Sequence, residues 1–209
     1  GFASTNIVSP SEVDRITDLA VEIAKASSGY SNGPVSLGPP VTSQGVYITP
    51  IQTDPFSISA EDKLGLLLEA DQRMGSIKGI SARMGNLIFI KEHKTFANSD
   101  GALVEQTIYE AGGGIMATAR GSGEVQRRSY PQSMRQQGCS GWEFVAAMDL
   151  PGNAERTATE AVELLSAEHC PSGLTTLIVG ASQLGLQIHE SCGHAIELDR
   201  VLGSEAAYA

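Results

Sequence analysis

The sequence has few aromatic residues, few cysteines and no long apolar run. Phe, Trp and Tyr together make up 5% of its 209 residues, and it contains three cysteines. A helix that spans a membrane needs roughly 20 mainly apolar residues. Apolar runs such as Leu87–Ile90 are much shorter, so the sequence argues against a membrane-spanning helix and predicts no membrane partner.

Basic residues are also scarce. Lys and Arg total 14 against 24 Asp and Glu, which gives a formal net charge of −10. Proteins that bind nucleic acids use clustered Lys and Arg to neutralise phosphates, so this balance argues against a direct nucleic-acid partner. The odd number of cysteines and the lack of an Asn-x-Ser/Thr site indicate a reducing compartment rather than secretion. We therefore expect a cytoplasmic protein.

What is present is typical of a folded domain with many turns: 41% hydrophobic residues, 18% charged residues and 23 glycines. Apolar residues at helical spacing predict helices near 10–27, 60–74, 154–168 and 183–199. Pro10 directly after Ser9 marks the start of the first helix. Ser59 and Asp62 have the spacing of a capping box, and Asn153 is a candidate N-cap of the third helix.

Short apolar segments separated by Gly, Asn or Asp follow the second helix, at 77–84, 86–96, 102–110, 114–120 and 123–130. They predict an antiparallel β-meander with a hairpin turn at Asn98–Gly101. We interpret Gly112–Gly114 as a bulge or tight bend between strands, and Leu174–Val179 as a buried strand. The predicted fold class is therefore α+β, an antiparallel β-meander flanked by helices, with the last helix near the C-terminus.

That last helix contains residues typical of a metal site, His189 and Glu190 followed by His194. In the common zinc-protease motif the two histidines are four residues apart and share one helix face. Here they are five apart, and at about 100° per residue they would point about 140° away from each other on a regular α-helix. A regular helix could not bring both imidazoles to one metal ion.

A π-type bulge would remove this offset, because residues five apart return to nearly the same face when hydrogen bonds span five residues. We expect the bulge near 191–193, with Gly193 lowering its steric cost. Glu190 would then be the catalytic base beside a zinc ion that lowers the pKa of water toward about 7. The alternative is that His189, Glu190 and His194 simply form a polar face of the helix.

The stretch from His189 to Gly203 reads HESCGHAIELDRVLG and resembles the TldD/PmbA family of zinc metalloproteases. The predicted strand before Gly180 and the helix at 154–168 resemble the same family. The TldD branch carries His-Glu-x-x-x-His, and its PmbA/TldE sister branch lacks it. The sequence therefore resembles a member of the TldD branch.

This resemblance implies that His189 and His194 are zinc ligands and that Glu190 is the base. It also implies a peptidase that acts on cytoplasmic peptides or unfolded polypeptides, as a homodimer or as a heterodimer with a sister subunit. By the same resemblance, residues 1–58 are the remnant of an N-terminal domain and its linker, and 59–209 form the central α+β domain. The family's C-terminal β-rich domain, with a Cys that completes the zinc site, would lie outside this chain.

A second functional class stays open. In this interpretation the chain has inherited the motif but does not use it for catalysis, and it is a non-catalytic regulatory or interaction subunit. An older description of the family, as a modulator of DNA gyrase, belongs to this class.

Two carboxylates beyond the motif are candidates to orient a ligand imidazole without touching the metal. Glu197 lies three residues after His194, and Asp199 is close to it in sequence. Either carboxylate could instead face solvent.

The cysteines are weaker candidates. We interpret Cys192 as a core residue, with sensitivity to oxidation as the alternative. Cys139 and Cys170, the latter beside His169, could form a second metal site, and ordinary packing or surface positions are the alternative.

Overall fold

A computed structural model describes residues 1–30, 38–121 and 123–201. The chain divides into two compact units, one formed by Gly1–Gln44 with Ala97–Leu103 and the other by the rest of the chain. In the smaller unit, helix α1 (Pro10–Ser28) begins where the sequence predicts, because the Ser9 hydroxyl accepts a hydrogen bond from the backbone N–H of Glu12 at 3.3 Å. The predicted turn at Asn98–Gly101 is also present, with Gly101 at φ 104°.

The larger unit is built on a five-stranded sheet with one long central strand, β3. The strands are β1 (Gln44–Ile48), β2 (Ile80–Ala97), β3 (Leu103–Arg120), β4 (Val125–Tyr130) and β5 (Gln136–Gly138). One edge of β3 pairs with β2, and the other pairs successively with β1, β5 and β4. The predicted meander of β2, β3 and β4 is confirmed.

The first strand makes the sheet mixed. Backbone N–H groups of Leu103 and Thr49 donate to the carbonyls of Ser43 and Thr107, at 3.1 and 2.9 Å. Residue numbers rise together along both strands, so β1 runs parallel to β3. By contrast, Ile115 pairs with Tyr130 and Arg120 with Val125, so β4 is antiparallel to β3.

Helices cover one face of the sheet. They are α2 (Ala60–Gly75), α3 (Trp142–Met148) and α4 (Leu150–Glu163), and α5 (Ala181–Ile188) and α6 (Leu198–Val201) follow near the C-terminus. The predicted capping box of α2 is confirmed, since the Ser59 hydroxyl accepts from the Asp62 N–H at 3.0 Å and donates to its carboxylate at 2.7 Å. Within the described part of the chain, no helix has both the length and the apolar character needed to cross a membrane.

The core lies between β3 and the two helices α2 and α4. Its fully buried members alternate along β3 and recur at helical spacing on the helices: Ile115, Ala117, Ala119, Ala70, Met74, Leu150, Ala154, Ala158 and Ala161. Most are alanines, and small side chains allow the helices to pack close to the sheet.

Four predicted strand segments form only two strands, and the predicted bend at Gly112–Gly114 is wrong. These glycines lie in the buried middle of β3. A Cβ on Gly112 would overlap the carbonyl oxygen of Gln136, and one on Gly114 would overlap that of Met134. Glycine is needed here because neighbouring backbone lies directly over the strand, not because the chain turns.

Two further predictions around the C-terminal half need correction, and one helix was missed. Residues 174–179 form no strand, and Leu174 and Ile178 are exposed. Helix α4 begins at Leu150 rather than after Asn153, because the Asp149 carboxylate caps it by accepting from the Gly152 N–H at 3.0 Å. Helix α3 was not predicted, since its seven residues are too few to show a clear period.

One carboxylate fastens the start of α3 to the segment after β1. Glu143 accepts hydrogen bonds from the backbone N–H groups of Gln52 and Thr53, both at 3.1 Å, and of Gly141 at 2.9 Å. Burial of the carboxylate acts to raise its pKa, but the backbone N–H groups and the Ser140 hydroxyl outweigh burial and hold the pKa of Glu143 at about 2.

Candidate metal centre

The motif lies on a helix that changes its winding at the first histidine. Helix α5 ends at Ile188, a π-helical turn covers His189–Gly193, and a 3-10 turn covers His194–Ile196. The five-residue spacing predicted a distortion at this place, and the structure has it. In the π turn the backbone N–H of His194 donates to the carbonyl of His189, five residues earlier.

Gly193 does not have the predicted steric role. Its φ and ψ are −60° and −54°, which is ordinary right-handed helix. A Cβ at this position would meet only the Ile188 carbonyl oxygen, at 3.7 Å. This is normal van der Waals contact, so the π turn does not depend on the lack of a side chain at Gly193.

The π turn brings the two imidazoles together. The ring centroids of His189 and His194 are 4.5 Å apart, with an interplanar angle of 81°. The Glu190 carboxylate lies between them, with one oxygen 3.9 Å from His189 Nε2 and the other 3.8 Å from His194 Nε2. One donor atom of each residue can be chosen so that all three lie within 4.8 Å of one another.

A second carboxylate fixes the orientation of His194. The Nδ1 atom of His194 is 2.8 Å from Glu197 Oε1. A carboxylate only accepts hydrogen bonds, so this contact requires the proton of the imidazole to be on Nδ1 and leaves Nε2 with its lone pair free for a metal. The predicted proximity of Glu197 to His194 is thus present.

Arg200 was not among the predicted residues. Its Nε atom is 3.2 Å from Glu197 Oε2. The guanidinium therefore orients the Glu197 carboxylate, and that carboxylate in turn contacts the His194 imidazole. Arg200 follows Glu197 by three residues, and in a helix this spacing favours an ion pair, so the sequence could have indicated the contact. Asp199 is placed differently, since it accepts from the backbone N–H of Arg200 at 3.0 Å.

The cysteines do not contribute to this cluster. Cys139, Cys170 and Cys192 are all exposed and unpaired, so the interpretation of Cys192 as a core residue is wrong. Among residues 1–30, 38–121 and 123–201, no second group of three His, Cys, Asp or Glu side chains is close enough to share a metal ion. The candidate site at Cys139 and Cys170 therefore gains no support.

The site is open to solvent in this chain. The side chains of His189 and Glu190 are 62% and 61% exposed, and that of His194 is 32% exposed. We call residues 168–201 the motif segment. Its apolar side chains are also exposed, among them Leu174, Leu177, Ile178, Leu186, Ile188, Ile196 and Leu198.

The donor set fits a zinc ion. Two imidazoles with a carboxylate are a common ligand combination of catalytic zinc sites, and an imidazole fixed by a carboxylate on its other nitrogen is usual there. Two histidines and Glu190 would give three ligands if Glu190 binds the metal, and two ligands with a neighbouring base if it does not.

Comparison with known proteins gives the family. Residues 53–167 match the family model described as the PmbA/TldA metallopeptidase central domain. The chain belongs to the TldD/PmbA family. The matched region covers β2, β3, β4 and helices α2 to α4, and it ends before His189. His189, Glu190 and His194 thus lie outside the matched region and are candidates on their geometry alone.

Three archaeal proteins named metalloproteases are similar to this TldD/PmbA chain. The protein of Methanocaldococcus jannaschii is 27% identical over 210 residues, which cover 100% of the chain and 45% of that protein. The protein of Methanothermobacter thermautotrophicus is 26% identical over 206 residues, 99% of the chain and 43% of that protein. That of Archaeoglobus fulgidus is 27% identical over 168 residues, 78% of the chain and 36% of that protein. The chain thus spans less than half the length of these relatives.

Proposed function

We propose that this chain carries the metal-binding part of a zinc-dependent metallopeptidase that cleaves cytoplasmic peptides or unfolded polypeptides. The observation that carries the proposal is the convergence of His189, Glu190 and His194 at a π turn. The five-residue spacing alone would separate the two imidazoles by about 140°, and the turn removes that separation. The names of the relatives and of the family model agree with a metallopeptidase.

Each residue has a distinct role in the proposal. His189 and His194 would hold the ion through ring nitrogens, His194 through Nε2 because its Nδ1 faces Glu197. Zinc, when bound, supplies a Lewis acid that polarises the peptide carbonyl and lowers the pKa of water. Glu190 accepts a proton from the attacking water at a carboxylate oxygen and passes it to the leaving amine. Glu197 and Arg200 keep the His194 ring in position and its proton on Nδ1.

The proposed zinc site needs a third protein ligand in addition to His189 and His194. Catalytic zinc sites have three protein ligands and an open position, and Glu190 cannot be a ligand and a free base at once. We propose that the third ligand lies outside these 209 residues, and that the active form is a homodimer or a heterodimer with a sister subunit. The 62% exposure of His189 supports this, because a catalytic site normally excludes bulk water.

A test separates the base from the ligands. In the protein with its further ligand present, Glu190→Gln should abolish cleavage of an unfolded polypeptide and leave the zinc content near one ion per chain. His189→Ala and His194→Ala should lose both cleavage and zinc. Zinc content is measured by elemental analysis and cleavage by mass spectrometry of the products.

Three outcomes would overturn the proposal. Cleavage by Glu190→Gln at the rate of the unmodified protein would show that Glu190 is not the base. Loss of zinc in Glu190→Gln would make Glu190 a ligand, and stoichiometric zinc without any cleavage in the unmodified protein would favour the regulatory subunit.

A further inference from the structure

Next to the motif, the surface contains a groove between the end of β4 and helix α5. It consists of two adjoining cavities of about 600 and 480 Å³. They share Ser129, Gln132, Ser133 and Ser182 as lining residues. The Ser182 hydroxyl contacts the Gln132 side chain, which joins α5 to the 3-10 turn that follows β4. We call the two cavities together the arginine groove.

The lining of the arginine groove is basic in an acidic protein. Four arginines line it, Arg127, Arg128, Arg135 and Arg156. No Asp or Glu is among its described lining residues, although acids outnumber bases by 24 to 14 in the whole chain. The lining itself thus carries positive and neutral groups, and the nearest carboxylate, that of Glu160, is held by two of the arginines.

The arginines differ in what already binds them. Arg128 and Arg156 both contact the Glu160 carboxylate at 2.8 Å, and Arg156 also lies 5.4 Å from the centre of the Tyr130 ring. Arg127 and Arg135 are exposed, and neither makes an ion pair with any residue that the structure describes. Arg135 lines the larger of the two cavities, and its guanidinium is available there for a bidentate contact with an added carboxylate.

The groove lies in line with the metal motif. Ser182 and Leu186 line it from α5, and His189 and Glu190 follow Leu186 by three and four residues. Residues at these spacings lie on one face of a helix. Ser182 and His189 are about 10 Å apart along the helix axis, a length that roughly three residues of extended peptide would span.

We propose that the arginine groove binds a carboxylate of the peptide substrate on one side of the bond to be cleaved. This inference rests on the proposed peptidase function. The carboxylate is either the C-terminus of the peptide or an Asp or Glu side chain, and Arg135 is the specificity-determining residue. The enzyme thereby prefers peptides that carry a negative charge on one side of the cleaved bond.

Binding is measured without chemistry, so that its failure is distinct from failure of the zinc proposal. The protein is dialysed free of metal and of chelator, since either would compete for the carboxylate or for the groove. The probes are penta-alanine labelled at its N-terminus with tetramethylrhodamine, in free-acid and C-terminal amide forms. A third probe is the amide with one glutamate in place of an alanine. Dissociation constants come from fluorescence anisotropy.

We expect the free acid to bind about ten times more tightly than the amide, the usual size of a charge-assisted hydrogen-bonded contact. Arg135→Gln should remove this preference and Arg135→Lys should keep part of it. Arg120→Gln is the matched control, because Arg120 is an exposed arginine outside the groove. If the glutamate probe binds as tightly as the free acid, the carboxylate can come from a side chain, which also supports the proposal.

Equal affinity for the free acid, the glutamate probe and the plain amide would overturn the inference. So would a loss of preference in Arg135→Gln that is no larger than in Arg120→Gln. Both results can be obtained whether or not the protein binds zinc or cleaves peptides.

Discussion

The sheet core and the motif segment are held together in different ways. In the core, Ile115 and Leu150 are fully buried, whereas Leu174 and Ile178 of the motif segment are 106% and 93% exposed. The core is therefore stabilised by apolar burial. The motif segment, by contrast, owes the shape of its site to local hydrogen bonds: the π turn itself and the contact between His194 and Glu197.

The site geometry is therefore a local property of the sequence. The π turn places His189, Glu190 and His194 together within six consecutive residues, without help from the packed core. Stability and metal binding should then respond to different substitutions.

Equivalent truncations in the two regions should have very different costs. Ile115→Ala should lower the free energy of unfolding by about 2–5 kcal/mol, because it leaves a cavity in the core. Ile188→Ala, at a residue 53% exposed, should change it by no more than about 0.5 kcal/mol. Urea denaturation measures both. Similar costs would show that the motif segment is packed as tightly as the core.

Two glycine substitutions should differ in sign. Gly112→Ala should destabilise the protein by about 1–3 kcal/mol, because its Cβ would overlap the β5 backbone. Gly185→Ala on α5 meets nothing within 4 Å and should stabilise the helix by up to about 1 kcal/mol. Thermal melting of the two variants reads out the difference, and a stable Gly112→Ala protein would contradict the close approach of backbone to β3.

In the motif segment, the Glu197 carboxylate that contacts His194 should affect zinc affinity and not the stability of the fold. Glu197→Gln should weaken zinc binding by about tenfold or more, because the Nδ1 proton of His194 then meets a neutral amide oxygen instead of a negatively charged carboxylate. Asp199→Asn is the control and should leave zinc affinity unchanged, since Asp199 contacts the Arg200 backbone instead. Competition with a chromophoric chelator gives both affinities. Equal losses in the two variants would remove the role given to Glu197.

Low pH should destabilise the larger unit through protonation of Glu143. Its pKa is lowered from 4.5 to about 2 in the folded protein, so its stabilising effect is complete above the unfolded pKa. That effect should be lost as the pH falls from 4.5 toward 2. Urea midpoints measured across this range should fall less steeply in Glu143→Gln. An unchanged slope in the variant would exclude Glu143 as a source of acid sensitivity.

Local signals predicted local features well. The Ser9 and Ser59 caps, the turn at Asn98–Gly101 and the π turn follow from residues a few positions apart, whose interactions do not depend on the rest of the fold. The distortion of the motif helix was predictable because two histidines five residues apart would point in different directions on a regular helix. The proximity of Glu197 to His194 came from the same helical spacing.

Features set by distant contacts were missed. Three consecutive glycines at 112–114 are typical of a bend in the chain. In the structure they lie within strand β3, where the lack of side chains lets the backbone of β5 and of the segment before it come close. The parallel pairing of β1 with β3 joins residues about 60 positions apart in sequence, which no local pattern indicates. Residues 174–179 have the apolar character of a strand, but a strand needs a neighbour, and no described residue pairs with them.

We propose that the π turn aims His189 Nε2 and His194 Nε2 at one ion. Long-range proton–nitrogen NMR of the imidazole rings, recorded while zinc is added to saturation, tests this proposal. We expect the Nε2 signals of both histidines to shift together at one zinc per chain, and Nδ1 of His194 to keep its proton. A shift confined to one histidine, or zinc binding through Nδ1 of His194, would contradict it.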